Sequence, residues 1–128
     1  MKALLTNYHQ SPRKVRLVAD LIRGKSIAQA KAALMFMPQK SSPAVEKLLD
    51  SAVSNARQMG AEAENLFVKS IQVNKGLVMR RFMPKARGRA SRYAKTMSIV
   101  SLELGILSAP VKKIAKKASK KTTKTTDK

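Results

Sequence analysis

Between Met79 and Lys95, in the run MRRFMPKARGRASRYAK, seven side chains are cationic and none is anionic. Five are arginines, Arg80, Arg81, Arg87, Arg89 and Arg92; the other two are Lys85 and Lys95. A guanidinium is planar and always charged, and its forked donors match a phosphate or lie flat on a base. Phe82 and Tyr93 add ring faces on which unpaired bases stack. Gly88 allows a left-handed turn near the middle of the run, and Pro84 removes one donor and stiffens the bend. The chemistry on offer is recognition of a polyanion. An extended, arginine-dense finger suits a narrow crevice in nucleic acid better than the flat face of a duplex.

Bond-making chemistry finds no comparable constellation. His9 is the only histidine. No carboxylates stand at ligand spacing beside it, so a packed or phosphate-facing role is expected rather than a metal or catalytic one. A phosphate-cradling G-x-x-x-x-G-K loop is absent, and so is cysteine, which removes disulfides and thiolate metal sites. Met35 and Met37 are expected in the core or at its rim, while Met79 and Met83, set among arginines, offer flexible apolar contact to bases. Asp20 is spaced to pair with Arg23 three residues on or with the charges on the Arg16 side, and Glu46 and Asp50 suit a solvated helix face. The protein is not expected to be an enzyme, and no cofactor or metal is expected.

Charge extends the same reading to the whole chain. There are 27 Lys and Arg against 7 Asp and Glu, a formal net charge of +20 over 128 residues. A compact domain with that excess repels itself unless a polyanion neutralises it, and nucleic acid does so through phosphate contacts and counterion release. An anionic membrane surface is the rival. No apolar run approaches the roughly 20 residues that span a bilayer, and MKALLTNYHQSPRK lacks the apolar stretch of a signal peptide. A soluble cytoplasmic protein without membrane attachment is expected.

The elements that must hold the finger are legible from periodicity. Lys2 to Tyr8 is compatible with an edge strand. In SPRKVRLVADLIRGK, Ser11 is placed as N-cap, Pro12 at the first helical position and Gly24 just past the end. Val15, Val18, Ala19 and Ile22 share one face of that helix. A second helix is expected from Ser26, with Ile27, Ala30 and Leu34 in register, stopping before Pro38. A third begins at Ser42–Pro43, with an apolar stripe of Val45, Leu48, Leu49, Ala52, Val53, Ala56 and Met59 ended by Gly60. The many alanines let helices approach closely. Aromatics make up only 4% and tryptophan is absent, so the core must be aliphatic.

From Leu66 the pattern changes to LFVKSIQVNKG, and SIVSLELGIL alternates Val100, Leu102 and Leu104 with Ser101 and Glu103. If Leu66–Val73 pairs with Ser98–Leu104, residues of about 74–98 form a hairpin extension, and about ten residues per arm at ~3.3 Å each reach roughly 30 Å from the body. Like charges ~5 Å apart repel by roughly 0.8 kcal/mol in water. A lone two-stranded ribbon is also only marginally stable, so Met79–Lys95 is expected to be mobile without its polyanion. One domain is expected over residues 1–109. Residues 110–128 form a basic tail with eight lysines, expected to be disordered in isolation. The fold class is α+β: three helices packed on a small three-stranded antiparallel sheet, with the long protruding hairpin.

Two stretches carry a family resemblance. KVRLVADLIRGK in the first helix and the R-x-M-P-x-A-x-G-R-A pattern from Arg81 to Ala90 closely resemble the bacterial large-subunit ribosomal protein twenty-two family. The likeness covers roughly residues 6 to 104. It implies a body on large-subunit (23S-type) rRNA near the outer opening of the polypeptide exit tunnel, a hairpin running inward, and binding early in subunit assembly. The tunnel tip would be Arg80, Arg81, Met83, Pro84, Lys85, Ala86, Arg87, Gly88, Arg89 and Ala90. Met79-Arg80-Arg81 matches the family's macrolide-resistance segment, with Arg80 where many relatives carry lysine. Neighbouring ribosomal proteins are implied partners, and the nascent peptide is a candidate contact at the tip.

The residues expected to touch RNA on the body are Ser11, Arg13, Lys14, Arg16, Arg23 and Lys25. On the arms they are Lys75, Met79, Arg80, Arg81, Phe82, Pro84 and Lys85, then Arg87, Gly88, Arg89, Arg92, Tyr93 and Lys95. An architectural DNA-binding protein, using the basic β-arm with Pro84 as a wedge in the minor groove, is the alternative. Such proteins are generally two-fold symmetric. No dimer seam is visible here, and no homo-oligomer is expected.

Overall fold

The structure is a computed structural model that describes residues 1–106. The basic tail at 110–128, and the domain boundary expected at 109, lie outside the described residues. In chain order the elements are β1 (Lys2–Tyr8), α1 (Pro12–Ile22), α2 (Ile27–Met35), α3 (Ser42–Gln58), β2 (Leu66–Pro84) and β3 (Ala90–Ile106). Short 3₁₀ turns at Ala63–Asn65 and Ala86–Gly88 precede β2 and form the hairpin tip. The strands make one antiparallel sheet in the order β1-β3-β2, so β3 is central and the other two are edges. This is the α+β fold expected, three helices on a three-stranded sheet with a long β2–β3 hairpin.

Each helix forms where its residues dictate. In α1 the expected stripe Val15, Val18, Ala19 and Ile22 is buried. Ser11 stands at the N-cap with Pro12 following, although its hydroxyl makes no capping hydrogen bond. Gly24 follows the helix at φ +75°, a left-handed conformation in which a side chain would be strained. Ser26 caps α2 by accepting from the Gln29 amide. The Ser42 hydroxyl donates to the Leu34 carbonyl, joining the end of α2 to the start of α3. Val45, Leu48, Leu49, Ala52, Val53 and Ala56 bury one face of α3.

The core is aliphatic. The helix stripes meet Leu66, Val68, Ile71 and Val73 of β2 and Val100, Leu102 and Leu104 of β3 on the inner face of the sheet. Fully burying such a side chain stabilises by about 1.5–3 kcal/mol. Buried alanines Ala30, Ala52 and Ala56 leave no bulk between neighbouring elements.

Two methionines depart from expectation. Met59, read as the end of the α3 stripe, is 71% exposed, and Met35 is 79% exposed. Met59 is the C-cap residue, where the chain leaves helical geometry and the 3.6-residue period no longer aims the side chain inward. Met35 is the last residue of α2 and points off the face that Leu34 buries. Met37 does pack against the core at its rim.

The strands do not stop where the core stops. As the hairpin extension expected over about 74–98 requires, the β2–β3 ladder runs from Leu66↔Ile106 to Pro84↔Ala90, with irregularities between Val68 and Ser70 and between Lys75 and Val78. The second marks the root, where the ribbon leaves the body.

Candidate nucleic-acid interface

Beyond the root the pleat sorts side chains onto two faces, because directly opposed residues share a face and successive residues alternate. Arg80 opposite Ala94, Phe82 opposite Arg92 and Pro84 opposite Ala90 share one face. Met79 opposite Lys95, Arg81 opposite Tyr93 and Met83 opposite Ser91 share the other. Each face therefore mixes cations with a ring. The Arg92 guanidinium lies 5.6 Å from the centroid of Phe82, and the Arg81 Nη2 stands 3.8 Å from the Met79 sulfur. Every residue from Arg80 to Ala90 is exposed, and so are Arg92, Tyr93 and Lys95.

The tip is closed by Lys85 N–H donating to the Arg89 carbonyl at 2.7 Å. Lys85 and Arg89 thus meet through backbone alone, and both side chains stay exposed. Gly88 sits at φ +69°, as its type suggests, but Arg87 is left-handed too, at φ +58°. An arginine in that region is held there at a cost, and its side chain is exposed.

The body cations divide into two groups. Arg13 and Lys14 are exposed in the first turn of α1, and Lys25 is half-buried beyond its end. Arg16 and Arg23, also expected to face RNA, reach across to β2. Arg16 Nε and Nη2 donate to the Val73 carbonyl at 3.3 and 3.2 Å, and Arg23 Nη2 donates to the Ile71 carbonyl at 3.2 Å. Arg23 also pairs with Asp20 at 3.0 Å, the i,i+3 contact expected. On the same outer edge the Val68 amide donates to the Lys25 carbonyl, and the Gly24 amide donates to the Val68 carbonyl. The irregularity between Val68 and Ser70 brings Val68, Ile71 and Val73 to one side of the strand. The outer edge of β2, otherwise open to pairing with another chain, is thus occupied by α1 and the loop after it.

At the root, β1 turns away through Asn7 at φ +55°. Ser98, fully buried, donates its hydroxyl to the Gln10 carbonyl, and Tyr8 Oη donates to the Lys40 carbonyl at 3.3 Å. Burial pushes the Tyr8 phenol above its ordinary pKa. These bonds bring His9, Lys14, Lys40 and Lys95 around one cleft. Lys40 did not figure among the expected RNA contacts, since in PQKSS nothing but its charge distinguishes it. Lys75 is exposed on β2 beside the root. No cluster of metal-ligating side chains exists among the described residues.

A small α+β body with a long antiparallel arm, cationic on both faces, defines an arm-bearing basic protein. The family described as ribosomal protein L22p/L17e matches residues 3–105, and the chain belongs to it. It is 50% identical over 103 residues to the large ribosomal subunit protein uL22 of Pelobacter propionicus, covering 80% of this chain and 93% of that one. The protein of the same name from Geobacter sulfurreducens is also 50% identical, over the same shares of the two chains. That of Herpetosiphon aurantiacus is 43% identical, over 79% of this chain and 90% of its own.

Proposed function

We propose that this protein is a non-enzymatic structural constituent of the large ribosomal subunit in the cytoplasm, binding large-subunit rRNA by neutralising phosphates where RNA segments converge. Family membership supports the subunit, and one observation supports the mode of binding. The ribbon carries arginines on both faces and no carboxylate, with no protein element over either face among the described residues. A ribbon charged on one face suits a groove; one charged on both suits a crevice walled by RNA on two sides.

In this reading residues 1–109 act as one domain near the outer opening of the exit tunnel. The hairpin, about 74–98, runs inward, and Arg80–Ala90 contribute to the tunnel wall within reach of the nascent peptide. Arg13, Lys14 and Lys25 hold the body on RNA beside neighbouring ribosomal proteins, and the arms tie RNA segments together during assembly. A basic β-arm bending DNA has no observation in its favour.

The test is co-sedimentation of the full chain with large subunits, abolished by RNase and unaffected by DNase. The opposite nuclease pattern would overturn the reading. If about seven phosphates are neutralised by the finger, a fourfold rise in salt weakens binding to isolated rRNA on the order of 10³-fold. Affinity indifferent to salt would contradict it.

A further inference from the structure

Where the hairpin leaves the body there is a cleft of about 510 Å³, walled by the loop after β1, the start of α1, the approach to α3 and both arms. Three lysines from three separate elements line it: Lys14 of α1, Lys40 before α3 and Lys95 of β3. His9 and the uncommitted hydroxyl of Ser11 stand beside them. No carboxylate lines the cleft. The ion pairs among the described residues, Lys2–Glu103, Arg23–Asp20 and Lys31–Asp50, all lie elsewhere.

The backbone around these cations is anchored. Tyr8 holds the Lys40 carbonyl and buried Ser98 holds the Gln10 carbonyl, so the walls are set by hydrogen bonds from β1 and β3. Three like charges on an anchored frame repel one another in the free protein, and an anion between them turns that repulsion into attraction. Lysine presents a compact point charge with rotatable donors, suited to a single phosphate oxygen approached from several sides. A pocket of roughly 300–1,000 Å³ takes a ligand of small-molecule size, which fits a phosphodiester with its flanking sugars.

We propose that this cleft seats one backbone phosphate of RNA, bridging Lys14 and Lys40 of the body to Lys95 of the arm. The proposal rests on the reading that the chain binds large-subunit rRNA, and it adds a task distinct from that of the tip. A phosphate shared by body and arm fixes the direction in which the ribbon leaves the sheet. The lysines are the positioning residues and the tip residues make the distant contacts.

The experiment measures binding of the full chain to transcribed large-subunit rRNA across a salt series, with melting curves to verify folding. Lys14→Ala/Lys40→Ala is compared with Lys47→Ala/Lys69→Ala, which removes the same charge from exposed positions outside the cleft. The cleft variant should lose on the order of tenfold in affinity, and the slope of log affinity against log salt should fall by about 0.7–0.9, the value of one phosphate. Lys14→Arg/Lys40→Arg should restore the slope, and amide exchange in residues 77–79 and 94–96 of the complex should be faster in the alanine variant alone. A wild type that binds steeply with salt, while cleft and control variants behave alike, overturns the seat and leaves the rRNA reading standing. A wild type that does not bind rRNA overturns both. A loss confined to reconstituted subunits and absent on naked rRNA assigns the cleft to a neighbouring protein's carboxylates, and also overturns the proposal.

Discussion

Strands β2 and β3 pass through two environments within one ladder. From Leu66 to Val73 and from Val100 to Leu104 they bury their inner face against three helices; from Arg80 to Ala90 every residue is exposed. Both halves share the same backbone pairing. They differ in what else holds them. A buried aliphatic side chain contributes about 1.5–3 kcal/mol, whereas an exposed cross-strand pair such as Phe82–Arg92 contributes roughly 0.2–1 kcal/mol. The body can therefore fold on its own resources. The register to Pro84↔Ala90 defines the ribbon's shape, and in the proposed function an anionic partner is what would hold it there.

The two halves also use arginine in opposite ways. Arg16 gives two of its nitrogens to the Val73 carbonyl and Arg23 one to the Ile71 carbonyl, both residues staying exposed, while the side chains of Arg80, Arg87 and Arg89 have no hydrogen-bonded partner among the described residues. The same residue type closes an edge at one end of the strand and stands exposed to solvent at the other.

The largest effect expected from this contrast is in amide exchange. In the free protein, amides of residues 100–104 should exchange only through opening that costs most of the folding free energy, and those of residues 77–96 through opening near zero. Protection should differ on the order of 10³-fold or more, and the difference should collapse in purified large subunits. Equal protection in the free chain would mean that the ribbon is rigid by itself.

Next comes side-chain truncation along one ladder. Leu102→Ala, at a fully buried site, should cost about 2–5 kcal/mol in denaturant unfolding. Phe82→Ala, 65% exposed, should change stability by no more than about 0.5 kcal/mol. A comparable cost at both would make the arm part of the core.

The arginines can be separated in the same assay. Arg16→Ala removes the donor to Val73 and should destabilise by about 0.5–1.5 kcal/mol. Arg87→Ala/Arg89→Ala should leave stability within about 0.5 kcal/mol, while lowering the salt slope of rRNA binding by about 1.4–1.8, two phosphates' worth. The reverse pattern would exchange the two roles.

The smallest effect belongs to the exposed Lys2–Glu103 pair, 2.7 Å apart at the β1–β3 edge. Lys2 holds the Glu103 carboxyl below its ordinary pKa of 4.5, and Glu103 raises the ammonium of Lys2. A carboxyl depressed on folding stabilises above its unfolded pKa and loses that contribution as pH falls through the folded value. The raised lysine contributes below 10.5 and loses its share as pH climbs through its folded value. Melting temperature should therefore fall slightly at both extremes, and Glu103→Gln should reduce both slopes, the half-buried Tyr8 phenol keeping its own share of the alkaline one. Unchanged slopes in the variant would show that the pair has no part in them.

Much of this was legible in the chain itself. Apolar residues at helical spacing named the buried faces of α1 and α3, and alternation around Val100, Leu102 and Leu104 named the central strand. The carboxylate-free stretch from Asn65 to Leu102 covers the whole exposed arm of the hairpin. Local periodicity carries that information because a helix or strand aims its side chains by position alone.

What periodicity could not encode is where a long, flexible side chain ends. That Arg16 and Arg23 close β2, that Lys40 joins Lys14 and Lys95, and that Met35 and Met59 escape the core were decided by how the elements cross and where they stop. A guanidinium bonded to its own sheet and one left to solvent carry the same charge and read alike in the sequence. Only the distance to a carbonyl of another element tells them apart.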